Sequence, residues 1–289
     1  MEIKARQSAT KVVLIFLGTR GGIARRSRRH RRHSSLLIQY RDARIMIDCG
    51  ADWLTRLSSI APTAIVLTHA HPDHADGLAK GAQCPVYAEK KTLDSLKGFP
   101  IHDRRVMPAH RSVMIHGVRF IAYPVQHSIR APAVGYRISV KGARFFYVPD
   151  VARLPDALNT LRGVEVYIGD GANMTRSMVR KKNGRLIGHA SIVTQLGWCK
   201  LAGVHRAIFT HCGSPIVRGE ALALNAAVRQ LGRARGIDAC LACDGNRLSL
   251  SGVGAAQSET AGRKNAVVAG RLPFRPLICL LDSDQPNRP

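Results

Sequence analysis

The chain has 289 residues, 45% of them hydrophobic, with a formal charge of +25 and only 5% aromatics. That length and composition suit one large α/β domain or two small ones. The charge points to polyanionic or phosphorylated partners, and the scarcity of aromatics argues against a base-stacking platform for single strands. No run approaches the ~20 apolar residues of a membrane span, and no membrane association is expected. The apolar stretch Val12 to Leu17 is too short for a signal peptide and is followed by Arg20 where a cleavage site should be. Seven cysteines, an odd number without disulfide spacing, fit a reducing cytoplasm. Cys240-Leu241-Ala242-Cys243 is C-x-x-C in form but lies in an apolar run without a second pair, and reads as core packing.

Residues 1–10 read as an N-terminal extension. Lys11 to Leu17 is the first strand, stopped by Gly18-Thr19-Arg20-Gly21-Gly22. A basic loop follows with Arg25, Arg26, Arg28, Arg29, Arg31 and Arg32. Guanidinium pairs with phosphate oxygens in bidentate fashion, so this block reads either as a phosphate grip near the site or as a solvated surface loop. Leu36 to Tyr40 and Arg44 to Asp48 form a hairpin, and a helix is expected over Ala51 to Leu57, which Asp48 is placed to cap.

The chain is organised around what comes next. Ala64 to Leu67 is a short buried strand that feeds Thr68-His69-Ala70-His71-Pro72-Asp73-His74-Ala75-Asp76-Gly77. His69 and His71 are two apart, so in extended backbone both rings fall on one side and can converge on one ion. Asp73 and His74, at the start of a helix expected to run through Leu78, can face a second ion, as two-metal hydrolytic sites require. One loop thus supplies four candidate ligands, which favours a metal site over water-solvated surface histidines.

The pattern His69-x-His71-x-Asp73-His74 resembles the signature of the metallo-β-lactamase superfamily, in the hydrolase branch that carries two metals. The opening strand, Leu17-Gly18-Thr19, the hairpin and Ile47-Asp48-Cys49-Gly50 resemble ribonuclease Z and its relatives. There the counterpart of Asp48 braces the metal loop without binding metal. His127, after a strand and before Gly135-Tyr136-Arg137-Ile138, resembles the third metal motif. Asp150 stands where the family places its bridging carboxylate, although Pro149 replaces the usual glycine. Asp170 at a strand tip, His189 before a helix over Ile192 to Ala202, and Thr210-His211 with Pro215 follow in the family's order. The resemblance spans residues 11 to 250. It implies that His211 is the last ligand and that Asp170 and His189 support proton transfer to the leaving group. For His189 the alternative is a helix-terminal residue with no chemical task. A helix over Glu220 to Arg235 and strands near Ile237 to Ala242 and Arg247 to Leu250 complete a metallo-hydrolase domain over 11–251, followed by a poorly ordered tail over 252–289.

The fold expected is α/β: an αββα sandwich of two mixed sheets with metals at one edge. His69, His71 and His127 would hold one ion, Asp73, His74 and His211 the other, and Asp150 would bridge them. Zinc suits such donors, and manganese or iron fits the same set. The reaction implied is metal-dependent hydrolysis of a phosphodiester, at RNA ends or in small or cyclic diesters, with hydroxide generated between the ions and Asp73 orienting it. Rival readings are a thioester or lactam hydrolase or an iron oxygenase of the same superfamily, or a non-catalytic nucleic-acid binding module stabilised by metal. Bacterial ribonuclease Z carries its tRNA-gripping arm between the positions matching His127 and Asp150, where this chain has only short hairpins. A homodimer is open by analogy with relatives.

Overall fold

The computed structural model describes residues 11–250; the expected extension at 1–10 and tail at 252–289 lie outside them. The first part of the chain makes β1 (Val12–Gly18), β2 (Ser35–Tyr40), β3 (Ala43–Ile47), β4 (Ala64–Val66), β5 (Val86–Ala88) and β6 (Arg104–Val106), paired in that order. The second part makes β7 (Ser112–Ile115), β8 (Val118–Val125), β9 (Ala133–Val140), β10 (Ala143–Tyr147) and β11 (Val166–Asp170). A separate two-stranded hairpin, β12 (Arg180–Lys182) and β13 (Arg185–Ile187), precedes β14 (Arg206–Thr210) and β15 (Asp238–Leu241). The last strand, β16 (Arg247–Leu250), returns to pair antiparallel with β1, so each main sheet has seven strands.

Period-two alternation explains why the two sheets stack. In β2, Leu36, Ile38 and Tyr40 join the central core while Leu37 faces the opposite side; in β11, Val166 and Ile168 point inward while Tyr167 points outward. The central core is therefore shared by both sheets, and each outer face carries a second apolar layer that helices cover. The short α1 (Leu57–Ile60), α2 (Pro72–Ala75) and α3 (Lys90–Ser95) belong with the first sheet. The helices α4 (Ala157–Leu161), α5 (Ile192–Leu201), α6 (Ser214–Arg218) and α7 (Ala221–Arg233) belong with the second. This is the αββα sandwich expected from the sequence.

Strand direction then collects the chemistry. β3 and β4 are parallel, as are β10, β11 and β14. β8 runs in the direction of β10 because each is antiparallel to β9. The segments after β3, β4, β8, β10, β11 and β14 consequently emerge on one edge, carrying Asp48, His69 to His74, His127, Asp150, Asp170 and His211. The two sheets are clasped at that edge: Gly21 N–H donates to the Cys212 carbonyl at 3.0 Å and Cys212 N–H to that of Thr19 at 2.7 Å.

Local departures from expectation have simple causes. The helix expected over Ala51 to Leu57 is a 3-10 turn at Ala51–Trp53 followed by α1, and the helix through Leu78 is one α turn followed by 3-10 turn at Asp76–Leu78. Close packing forces this: a β-carbon on Gly77 would lie 2.6 Å from the Cys49 sulfur and the Gly50 carbonyl oxygen. Asp48 caps neither turn, because its carboxylate is committed to Thr68 and His74. Cys240 and Cys243 lie buried at the end of β15.

Candidate metal centre

The loop after β4 stays extended through His71, which is why the first two histidines face the same way. Their ring centroids are 4.6 Å apart, and His69 Nε2 lies 3.0 Å from His71 Nδ1. His127 Nε2 approaches the same His71 atom at 3.3 Å. Pro72 then starts α2 at its first position, where a missing N–H costs nothing, and the turn swings Asp73 and His74 toward His211. His211 Nε2 is 3.1 Å from Asp73 Oδ2, and His74 Nε2 is 3.4 Å from it. Asp150 stands between the two groups. Its Oδ2 is 3.1 Å from His127 Nε2, 3.4 Å from His69 Nε2 and 3.5 Å from His74 Nε2, while its Oδ1 is 2.9 Å from His211 Nδ1. Pro149 does not keep Asp150 from this position.

His69, His71, His127 and Asp150 thus form one constellation with donor atoms within 4.8 Å of one another, and Asp73, His74 and His211 form a second. The fit to divalent cations rests on the donors themselves. Among the described residues, His74 Nε2, Asp150 Oδ1 and His211 Nδ1 are buried without a hydrogen bond, the last two despite lying 2.9 Å apart, a condition that costs about 1–3 kcal/mol per group unless something else satisfies it. The far ring nitrogens are occupied. Thr68 Oγ1 donates to Asp48 and so accepts from His69 Nδ1 at 3.0 Å, His74 Nδ1 donates to Asp48 Oδ2 at 3.0 Å, and His127 Nδ1 to the Gly188 carbonyl at 3.1 Å. Each ring thereby turns a bare Nε2 toward the cluster, the tautomer metal ligation requires.

Charge balance in the cluster is strongly polarised. Burial opposes charge on every group, yet His74 is raised well above the usual imidazole value by Asp73, Asp150 and Asp48, and His211 is raised to about 10, chiefly by Asp150. Asp73 and Asp150 are held far below the carboxylate range despite burial, by their histidine neighbours. Burial, with His69 beside it, lowers His71 to about 4, and burial also lowers His69 and His127. Ionised Asp73 and Asp150 beside neutral-leaning His69, His71 and His127 are donors ready for a cation, and the protons that the carboxylates favour on His74 and His211 are ones that metal binding would release.

Asp170 and His189 form a dyad beside the cluster. His189 Nδ1 donates to Asp170 Oδ2 at 2.8 Å, and His189 also groups with Asp150 and His211 within 4.8 Å. The fully buried Asp170 is held by N–H groups of Val151 at 3.1 Å and Ala172 at 2.8 Å. Burial disfavours the His189 cation, but Asp170 outweighs it and raises the group. The sequence reading missed what fixes this dyad: Gln195, fully buried in α5, accepts from Asp170 N–H at 2.9 Å and donates to the carbonyls of Asp170 at 2.7 Å and Ala190 at 3.1 Å. A glutamine on the buried stripe Ile192, Gln195, Leu196, Cys199 was its visible signal.

A cavity of about 710 Å3 opens over the cluster, lined by Gly21, Gly22, His71, Asp73, His127, Asp150, His189 and His211 together with Arg176 and Arg180. None of Arg25, Arg26, Arg28, Arg29, Arg31 and Arg32 lines it. Arg26 bonds Asp52 at 2.7 Å, and the buried Arg20 bonds the same carboxylate, so these two cations organise their own loop.

A sandwich of two mixed sheets with paired His/Asp constellations at one edge defines a metal-binding hydrolase scaffold. A family model described as the beta-lactamase superfamily domain matches residues 43–212, more than half of the chain, and the chain belongs to that superfamily. It is 30% identical over 146 residues to a ribonuclease Z of Methanopyrus kandleri, a match covering 44% of this chain and 50% of the relative. The chain thus spans about half the length of that relative. Among solved structures, the metallo-beta-lactamase fold protein YhfI of Bacillus subtilis superposes with a TM-score of 0.67 at 15% identity, over 83% of this chain and 99% of that one. A diphosphatase of the PhnP family gives 0.65 at 23% identity, over 83% and 97%. The likeness to ribonuclease Z expected from the motifs is therefore found, and the fold is that of the metallo-β-lactamases. No helix among the described residues is long and apolar enough to cross a membrane.

Proposed function

We propose that the protein is a metal-dependent phosphodiesterase acting on RNA ends or on small or cyclic phosphodiesters. The observation that carries this reading is the His189–Asp170 dyad, 2.8 Å across, set beside Asp150 and His211. An alkoxide or sugar oxyanion is a poor leaving group that needs a proton, and a positioned imidazole meets that need; the likeness to a ribonuclease Z supports the same class.

His69, His71 and His127 would hold one divalent cation, Asp73, His74 and His211 the other, and Asp150 both. Zinc fits this donor set first, with manganese or iron compatible. The chemistry two such bound ions supply is charge stabilisation at a phosphoryl oxygen and a nucleophilic water at neutral pH. Asp73, held ionised by its histidine neighbours, would orient a nucleophilic water by accepting a hydrogen bond from it. As the water oxygen bonds to phosphorus and the bond to the departing oxygen breaks, the departing oxygen takes the proton that His189 holds on Nε2. Asp170 keeps the ring aimed by accepting from Nδ1. Asp48 and Thr68 hold the ligand loop in place.

The test is hydrolysis of bis(p-nitrophenyl) phosphate by protein loaded in turn with zinc, manganese and iron, with Asp73→Ala as control. Turnover abolished in the control is the expected result; no turnover with any metal, despite two ions bound per chain, would sink the reading.

A further inference from the structure

The hairpin between Asp170 and His189 carries charge that hydrolysis of a lone diester does not use. Residues 176–185 contain Arg176, Arg180, Lys181, Lys182 and Arg185 and no carboxylate. All five are exposed, and among the described residues none is engaged in an ion pair. β12 and β13 pair with each other and with neither main sheet, so the hairpin projects as an arm. Its base is tied to the chemistry: Met178 N–H donates to the His189 carbonyl and Gly188 N–H to the His127 carbonyl, each at 2.9 Å.

The arm also walls a second cavity of about 580 Å3, which shares His71, His127, Met178, Arg180 and His189 with the one over the cluster and adds Arg130 and Lys182. His189 stands at the junction. On the reading given above, the group that receives its proton departs past His189 into this second cavity. A scissile phosphodiester carries one negative charge, which the cation pair would balance. Unpaired cations beyond His189 therefore match phosphates other than the scissile one. Met178, 45% exposed between Arg176 and Arg180, offers an apolar face of the kind a base can cover.

We infer that the β12–β13 hairpin clamps the departing portion of a single-stranded polynucleotide, with Arg130, Arg180 and Lys182 holding its phosphates. The direction of the strand rests on the phosphodiesterase reading; the clamp itself can be tested without turnover. Binding is followed by anisotropy of a labelled single-stranded RNA of about 12 nucleotides, within the usual footprint of such sites, with phosphorothioate linkages to slow hydrolysis and zinc-loaded full-length protein.

Arg180→Ala/Lys182→Ala should weaken binding roughly tenfold or more and lower the slope of log affinity against log salt by about 1.4, the release of counterions from two phosphates. Arg111→Ala/Arg119→Ala, which removes equal charge from β8 and the turn before β7, should stay within about twofold, as expected for charges that touch no phosphate. Equal loss in that control, an unchanged slope in the hairpin variant, or the same loss from Arg28→Ala/Arg31→Ala with the hairpin intact would overturn the assignment. A protein inactive on bis(p-nitrophenyl) phosphate that still shows the hairpin-specific slope change would end the phosphodiesterase reading and leave the clamp as a binding surface. Turnover with no slope change would do the reverse.

Discussion

Asp48 and His74 are joined by a 3.0 Å hydrogen bond from the ring Nδ1 to the carboxylate, and neither residue is exposed to solvent. The same carboxylate accepts Thr68 N–H at 2.8 Å and the Thr68 hydroxyl at 2.9 Å. Asp48 therefore ties the start of the loop, at Thr68, to His74, its fourth candidate ligand. It does so from a left-handed backbone, φ 61°, a conformation that aspartate and asparagine tolerate better than most residues. Asp48→Asn should keep the backbone and the fold while weakening the bond to His74. Metal affinity is expected to fall by about 10- to 100-fold, as for other partners of metal-bound histidines. Chelator competition measures it, and an affinity equal to the parent's would remove Asp48 from the metal's support.

Gly50 allows the ligand turn to lie directly against the end of β3. A β-carbon there would sit 2.0 Å from the Asp73 carbonyl oxygen, which is backbone and cannot swing away. Gly50→Ala must push α2 outward and carry Asp73 and His74 with it. A loss of about 1–3 kcal/mol is expected, typical of overpacking, accompanied by reduced metal content. Gly98→Ala, where a β-carbon meets nothing within 4 Å, is the reference. Urea unfolding of the two variants compares them directly, and equal stabilities would show that the loop accommodates the methyl group.

His30 gives stability a pH dependence that does not involve the cluster. Burial, aided by Arg29, lowers its pKa from 6.5 to about 4. Its Nδ1 is 2.8 Å from Thr19 Oγ1, which donates onward to Asp244, so the ring is held neutral with its proton on Nδ1. Above pH 6.5 the ring is neutral in both folded and unfolded chains, and its contribution is fully present. As the pH falls from 6.5 to 4 the unfolded chain takes a proton that the folded chain refuses, so stability is lost, by about 3 kcal/mol at most. Asp244 works in the opposite sense, because burial raises it. Subtracting the profile of His30→Asn from that of the parent isolates the His30 effect; identical slopes between pH 6.5 and 4 would contradict it.

The candidate metal loop is legible in the sequence because its signal is local. His69-x-His71 gives convergence through strand geometry alone, and Pro72 marks the turn that presents Asp73 and His74. His127, Asp150 and His211 were legible only through order and resemblance, since what brings them to one edge is the parallel pairing of β10, β11 and β14, a long-range property. The arginine block leaves a phosphate grip and a solvated loop equally open in the sequence, for a physical reason. A dense run looks like a grip, but Asp52 lies 26 residues from Arg26 and 32 from Arg20 and engages both. Of the cations that line the two cavities at the cluster, Arg176, Arg180 and Lys182 directly precede or belong to a short hairpin of polar residues with no apolar alternation to announce it, and Arg130 follows His127. Helix breaks near Gly50 and Gly77 were likewise invisible, because they arise from the approach of two turns that are distant in sequence.

His189 is the residue on which the phosphodiester reading turns, and it makes a prediction that separates chemistry from support. Its ring is anchored on Asp170, and Gln195 anchors Asp170 in turn, so replacing the ring leaves the surrounding hydrogen bonds of β11 and α5 intact. His189→Gln should therefore leave metal content and thermal stability near those of the parent. With a p-nitrophenyl ester, whose departing oxygen is stable as an anion, the rate should fall little. With an alkyl or ribose leaving group the rate should fall by about 100- to 10,000-fold, the usual contribution of general acid catalysis. A series of phosphodiesters of graded leaving-group pKa makes the comparison, and the expected result is a steeper dependence of rate on that pKa in the variant. A uniform loss across the series would assign His189 to binding or ligand positioning, and no loss anywhere would return it to a helix-terminal residue without a chemical task.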